Sequence, residues 1–376
     1  MGRRGGVFAA ASVVALLAGC AGATSPPGAP APRAAAAGHR TSATPTPSPS
    51  PTASPAPTPT PTPTPRVTPT PMATGFTATL YVADFTTSGL PQVERYQIAL
   101  GVPVQPSNLT YSSVGAPIAV DASNRLYATV GSQVRVFQPR SNLPLRKFDV
   151  LPWRVQNVAF VDLTALTVDP QGYTYVAYEE CYATSLSPPQ TVEDYGVAIY
   201  PPNAFGTPAP LQDIYWALAS NSASCPNGGR VDGVAVDAAG ELLVSKTTAG
   251  IGEVVAFATP LTAPAKVRTI KGYGIVHPRG LTIDAGGELY VDNVSGQSSF
   301  VAAYPVTANG KPAPDWKVRV RNTVDFGNGI DTTHEMLFVP DTGAGLVYEL
   351  HATQGGAQPP VAALPVTSPK DVKTAP

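Results

Sequence analysis

The sequence predicts an all-β fold: a six-bladed β-propeller of four-stranded blades, preceded by a signal segment and a disordered Pro/Thr-rich linker. Three observations predict it. A strand–turn–strand unit recurs at intervals of 47 or 48 residues, each copy is followed by two further β-rich runs, and no helical period of useful length appears after residue 20.

The unit is clearest in Gly280-Leu-Thr-Ile-Asp-Ala-Gly-Gly-Glu-Leu-Tyr-Val-Asp292. Leu281 and Ile283 alternate with small polar residues, Asp284-Ala-Gly-Gly287 reverses the chain, and Leu289-Tyr-Val291 is the second β-rich run. An Asp at the turn accepts hydrogen bonds from the turn's own amides, and Gly takes a positive φ without steric cost. Four more copies follow the pattern: Ile118–Asp121 with Arg125–Ala128, Leu166–Asp169 with Thr174–Val176, Val234–Asp237 with Leu242–Val244, and Ile330-Asp331 with Leu337–Val339. Leu80–Val82 reads as a first copy whose opening strand is eroded. Asp121 to Asp169 is 48 residues, and Asp237 to Asp284 and Asp284 to Asp331 are 47 each; Asp169 to Asp237 is 68, so the third unit carries about 20 extra residues.

Third strands follow at Val93–Tyr96, Val134–Phe137, Val197–Tyr200, Val254–Phe257, Val301–Tyr304 and Leu346–Leu350, and more polar fourth strands at runs such as Ala265–Ile270 and Trp316–Val320. Sheets of this size bury their faces only against neighbours, and four strands per ~40–50 residues is the period of a propeller blade. Six blades over residues 75–368 are expected, with 369–376 as a flexible tail. The pattern I/L-x-V/I-D-x-x-G-x-L-Y-V, then V-x-x-Y/F, resembles the NHL-repeat family of bacterial propellers over about three-quarters of the chain. Its matching residues are strand and turn positions, so the resemblance implies a fold and says little about activity.

Composition frames the rest. The chain has 376 residues, 43% of them hydrophobic and only 13% charged, and its formal net charge is −1. That balance argues against nucleic acid or another polyanion as partner. Residues 1–19 read as a signal peptide: Arg3 and Arg4 open it, and the apolar run Val7–Leu17 is short for a spanning helix. Leu17-Ala-Gly-Cys20 resembles the lipobox of bacterial lipoproteins, which implies cleavage before Cys20 and a diacylglycerol on its sulfur, usually with a further acyl chain. Residues 20–74 hold 16 of the 43 prolines, including the Thr-Pro run Thr58–Pro65. Such a segment lacks the apolar residues to fold and favours polyproline II, and some 50 residues at ~3.1 Å each reach on the order of 150 Å. The expectation is a stalk, carrying hydroxyls open to O-glycosylation, on a protein held in the bacterial envelope by lipid and facing outside the cytoplasm.

Beyond Cys20 the cysteines are Cys181 and Cys225, an even pair for an exported protein. Cys181 is placed just after the second strand of blade three and Cys225 in the link to blade four, loops on one face of a meander, so a disulfide between them is expected. In the outer strands, Lys266-Val-Arg268 and Lys317-Val-Arg319-Val-Arg321 place Val inward and the cations outward, where they discourage edge pairing.

A ligand site, if present, belongs where blade-to-blade links and second-to-third-strand hairpins meet, around one mouth of the central channel. The candidates there are Asp84, Glu179, Glu180, Arg230, Asp232, Lys246, His277, Arg279, Asp292, Asn293, Asp325, Asn328 and Asp341. Asp232 and Arg279 hold equivalent positions in adjacent blades, which predicts a mutual ion pair; Asp292-Asn293 and Asp341-Thr342 follow second strands and are read as turn formers, with a shared calcium site as the alternative. Asp121, Asp169, Asp237, Asp284 and Asp331 recur too regularly to be one site and are assigned to turns on the opposite face.

Three function classes remain. The first is a displayed, monomeric propeller that binds a protein, glycan or small molecule without cofactor or chemistry, and this is the preferred reading. The second resembles the gluconolactonase and regucalcin group, whose hydrolases imply a calcium cage of one Glu, Asn residues and an Asp; no match in order and position is found. The third resembles the amidating and virginiamycin lyases, which depend on histidines around a metal, and of the four histidines only His277 falls at the mouth.

Overall fold

The computed structural model describes residues 77–99, 109–150, 158–183, 191–220, 228–258, 260–295, 298–320, 330–333, 335–352 and 355–375. Cys20, Cys225, Asp325 and Asn328, the signal segment and the Pro/Thr-rich linker lie outside the described residues.

Among those residues every regular element is a strand, and the strands form six sheets, antiparallel except that Gly356–Gln358 adds a short parallel fifth strand to the sheet of blade five. Each sheet has strands a to d, counted outward from the axis. Blade one comprises Asp371–Ala375, Thr77–Phe85, Pro91–Ala99 and Leu109–Ser112; blade two, Gly115–Val120, Leu126–Val130, Gln133–Phe137 and Pro144–Asp149. Blade three comprises Val158–Val168, Thr174–Ala183, Thr191–Tyr200 and Gln212–Ser220; blade four, Gly229–Val236, Leu242–Thr248, Ile251–Ala258 and Ala265–Lys271. Blade five comprises Pro278–Ile283, Glu288–Ser295, Ser298–Pro305 and Trp316–Val320; blade six, Asp331–Thr333, Met336–Asp341, Leu346–His351 and Ala362–Pro365.

The eroded opening strand of the first copy is supplied by the other end of the chain. Asp371–Ala375 pairs antiparallel with Thr77–Phe85, from Thr79↔Ala375 to Ala83↔Asp371. The expected flexible tail at 369–376 is therefore corrected. Val372 and Ala375 are buried there, and Asp371 accepts a hydrogen bond from Ile118 N of blade two at 2.8 Å. Six apolar clusters, one between each pair of consecutive blades including blade six against blade one, complete the ring. Each is built from the alternating residues of the L-Y-V and V-x-x-Y/F runs, as in Tyr290 and Val301 against Leu337 and Val339.

Turn aspartates behave as expected in four blades. Asp121, Asp169, Asp237 and Asp284 accept backbone N–H bonds of 2.8–2.9 Å from Arg125, Tyr173, Glu241 and Glu288 respectively. In three of them the Tyr of L-Y-V donates its hydroxyl to the second carboxylate oxygen. Asp331 is a correction: it pairs across from Phe338 inside strand a, three residues before the turn position. From there it accepts hydrogen bonds from Thr282 Oγ1 (3.1 Å) and Thr374 N (2.6 Å), tying the strands a of blades five and six to the closing strand.

Two features of the outer edge also differ from expectation. A bulge in blade four pairs Ala256 with Arg268 and Phe257 with Lys266, leaving Val267 out of register and 47% exposed. Arg268 turns inward instead, to Glu241, to Asp237 at 3.7 Å and to the Val306 carbonyl of blade five. Outer edges are further clipped by the next blade: Gly206 bridges Phe148, Gly310 bridges Ile270 and Gly356 pairs with Val318, all in parallel. These three glycines have φ of 69°, 74° and 97°, a region costly for other residues, and they cover edges left open to pairing.

Candidate functional site

One repeated irregularity positions the site. Each strand a of blades two to five carries a β-bulge, at Ala116-Pro117, Thr164, Asp232 and Arg279-Gly280, where residues lack register partners; blade three has a further one at Ala159. Bulges re-aim a side chain away from the ladder. Ala116, Thr164, Asp232 and Arg279 each stand five residues before the turn aspartate of their blade, so one position per blade rims the mouth. In blade one Val372 pairs with Val82 as Leu281 pairs with Val291, which places Lys370 at the same position.

On blades four and five this rim is charged, with Asp232 buried and Arg279 half-buried, and on blade three the charge comes from neighbouring residues. Asp232 is 4% exposed, and its ion pair is with Arg230 on its own strand, not with Arg279 as the equivalence of positions predicted. A bulged residue leans back over its own strand, which brings Arg230 nearer than the adjacent blade. Burial still raises the Asp232 carboxyl above the usual range, against the pull of Arg230 and Arg279. Asp292 is fully buried, and no side chain hydrogen-bonds to its carboxylate; the Asn293 backbone N–H is the one donor close enough to favour its charge. Burial pushes it well above the ordinary carboxyl range, with Arg279 as the opposing charge. Burial also pushes the Glu179 carboxyl up to about 8, reinforced by a hydrogen bond with Glu193 and the charges of Glu193 and Asp162; Arg230 opposes. Glu193 is itself fully buried and accepts hydrogen bonds from Gly228 N (3.1 Å) and Gly229 N (3.3 Å). Chemically, this places the raised carboxyl groups of Glu179, Asp232 and Asp292 beside two guanidinium groups.

Several expected residues have structural work instead. Asp292 and Asn293 lie within strand b of blade five, which continues to Ser295, so they are not turn formers. Asn293 is committed to Val276 N (3.0 Å) and to the Val291 carbonyl (2.9 Å). Lys246 pairs with Glu253 at 2.8 Å and lies 4.9 Å from the Trp216 ring centre. Asp341 ends strand b of blade six and accepts Ala344 N at 2.9 Å, the turn role expected of it. Glu180 is buried, His277 is exposed, and Asp84 is buried with its carboxyl raised to about 6 by that burial. Cys181 lies inside strand b of blade three, which runs longer than expected, and is disulfide-bonded; Cys225, the expected partner, is outside the described residues. Among the described residues no group of three or more His, Cys, Asp or Glu is arranged to hold a metal ion.

The reading of the sequence missed Asp162, Thr164, Glu193 and Lys370. The signal for Thr164 was present, five residues before Asp169, as for Asp232 and Arg279. Cavities accompany the ring among the described residues. A cleft of about 450 Å³ lies on the turn face beside Asp284 and Glu335, where Asp284 is already spent on Glu288 N and Tyr290. A cavity of about 270 Å³ on the axis is lined from all six strands a, including Thr167, Thr282, Asp331 and Lys373. A cleft of about 360 Å³ opens at the mouth between blades one, two and three.

Solved structures share this arrangement. A chain of the nidogen/laminin complex is 10% identical with a TM-score of 0.50, over 80% of this chain and 99% of that one. The periplasmic gluconolactonase PpgL of Pseudomonas aeruginosa is 12% identical with a TM-score of 0.50, over the same shares, and a protein of unknown function from Bacteroides caccae is 11% identical at 0.49, over 79% and 98%. The protein is a six-bladed β-propeller. At these identities the likeness is one of fold alone. No protein-family model matches the propeller's sequence, and no curated protein matches it.

Proposed function

We propose that the protein is a lipid-anchored envelope protein whose propeller, of the NHL-like kind, is a binding module, receiving a polyhydroxylated ligand such as a glycan at the mouth of blades three to five. The observation that carries this reading is Asp292, fully buried with no side-chain donor on its carboxylate, only the Asn293 N–H nearby and Arg279 as its opposing charge. An unsatisfied buried carboxyl costs a fold several kcal/mol at most sites, on the order of 1–3 kcal/mol or more, and is kept where a ligand completes it. Carboxyl groups that hold protons near neutral pH both donate and accept, which suits vicinal hydroxyls, and the guanidinium groups of Arg230 and Arg279 add donors. The test is a titration of the full chain with soluble cell-wall glycan fragments, alongside Asp292→Asn and Arg279→Ala. Binding that both variants weaken at least tenfold supports the reading; unchanged affinity in both overturns it.

A second reading, hydrolysis, draws on Glu179 and Glu193: a carboxyl raised to about 8 beside a second carboxylate is the arrangement of a general acid. Turnover of lactone or glycoside substrates that Glu179→Gln abolishes would favour it. A calcium-dependent rise in melting temperature of the full chain would favour its gluconolactonase-like form.

A further inference from the structure

We infer that the mouth cleft between blades one, two and three is a second binding site, for a small zwitterion with an apolar body: a free amino acid or dipeptide. The site goes beyond the charged cluster of blades three to five, which it meets at Asp162. Its volume of about 360 Å³ lies within the ~300–1,000 Å³ typical of small-ligand pockets.

Three observations set the ligand class. First, the cleft has three charged residues, Asp162 from blade three and Lys370 and Asp371 at the start of the closing strand, with Ala116-Pro117 of blade two also in its lining. Among the described residues the Lys370 ammonium makes no hydrogen bond or ion pair, and the Asp162 carboxylate is exposed with Arg230 acting on it only as a nearby charge, while the third charged group, Asp371, is satisfied by Ile118 N and Val372 N at 2.8 Å each. Second, Thr164 is 4% exposed, lines the cleft, and its hydroxyl has no partner. It is the bulged residue of its strand, turned out of the ladder at the position where Asp232 and Arg279 rim the neighbouring blades. A buried hydroxyl left open at a re-aimed position is an unfilled hydrogen bond waiting for a ligand. Third, Phe85, Pro91 and Pro117 form an apolar wall. A ligand ammonium at Asp162, a carboxylate at Lys370, a hydrogen bond to Thr164 and an apolar side chain on that wall satisfy every open group. Because Lys370 leads into the closing strand, such a ligand also fastens blade one to blade three.

The test is calorimetric titration of the full chain with L-phenylalanine, phenylalaninamide, which lacks the carboxylate, and N-acetylphenylalanine, which lacks the ammonium. Losing one charge-assisted contact corresponds to about tenfold in affinity. The zwitterion should bind saturably, and each single-charge analogue about tenfold more weakly. Asp162→Asn should weaken L-phenylalanine about tenfold but leave N-acetylphenylalanine unchanged; Lys370→Met should weaken L-phenylalanine but leave phenylalaninamide unchanged. Thr164→Val, a near-isosteric change, should weaken all three. The melting temperature should rise with ligand concentration by mass action. Absence of saturable binding up to about 10 mM, or equal affinities for the three compounds, overturns the inference. The glycan titration reads a different ligand, so its failure and this one are separable.

Discussion

Replacing Val372 by Ala tests whether the C-terminal strand closes the ring. Val372 is fully buried and packs in the cluster that joins blade one to blade six, with Leu80, Val82, Met336, Phe338 and Leu364. Two methyl groups are lost, at ~0.8 kcal/mol each, and a cavity remains because neighbours on two blades cannot collapse into it; the sum is about 2–3 kcal/mol. In a domain of this size that corresponds to a fall in melting temperature of roughly 4–10 °C. The control is Val267→Ala on the outer strand of blade four, 47% exposed, where less than about 0.5 kcal/mol is expected. Circular dichroism melts of both variants, with urea unfolding at 25 °C for the free energies, are the assay. Equal effects from the two substitutions, or no effect from Val372→Ala, would refute the closing-strand argument. Ending the chain after Lys370 should abolish the cooperative transition, because the five register pairs with Thr79–Ala83 go with it.

Three further outcomes follow from the same contacts. The folded-state carboxyl of Glu179 lies above its unfolded value, so its charging opposes folding: no penalty exists below the unfolded value of about 4.5, and it grows as pH rises towards 8. The melting temperature should therefore fall from pH 5 to pH 8, and Glu179→Gln should raise it at pH 8 while leaving it nearly unchanged at pH 5; a flat difference across that range would contradict the assignment. Tyr290→Phe removes a 2.8 Å bond to Asp284 and should cost about 1 kcal/mol, whereas Tyr304→Phe deletes a buried hydroxyl with no partner and should be neutral or stabilising in urea melts. Reduction, or Cys181→Ala, should cost about 2–4 kcal/mol, and non-reducing peptide mapping should recover Cys181 linked to Cys225.

Repeat spacing made the ring legible because it is written in residues with one physical job. Leu-Tyr-Val runs and turn aspartates occupy the same place in most blades, and their hydrogen bonds are local. What misled was reading a copy by its letters alone: Ile330-Asp331 looks like a turn entry, yet the pairing of Thr333 with Met336 moves the turn three residues on. Closure was hidden because its partners stand at opposite ends of the chain, and alternation in Asp371–Ala375 is too short to announce a strand. Bulges were hidden for another reason. A bulge is a mismatch between two strands, so neither Asp232 nor Thr164 carries a sign of it, and only the register reveals which side chain leaves the ladder. Hence the mouth's acids and cations were found as a set, while the partner of Asp232 and the role of Thr164 were not.

The bulged rim has an evolutionary consequence. Lys370, Ala116, Thr164, Asp232 and Arg279 stand at one equivalent position in successive blades, and all but Ala116 lie apart from the apolar clusters between sheets. Exchanging them alters what the mouth recognises while the scaffold beneath keeps its hydrogen bonds and its packing. Ligand preference in such a ring can thus drift one blade at a time, each step a single codon change that selection can judge on affinity without also judging foldability.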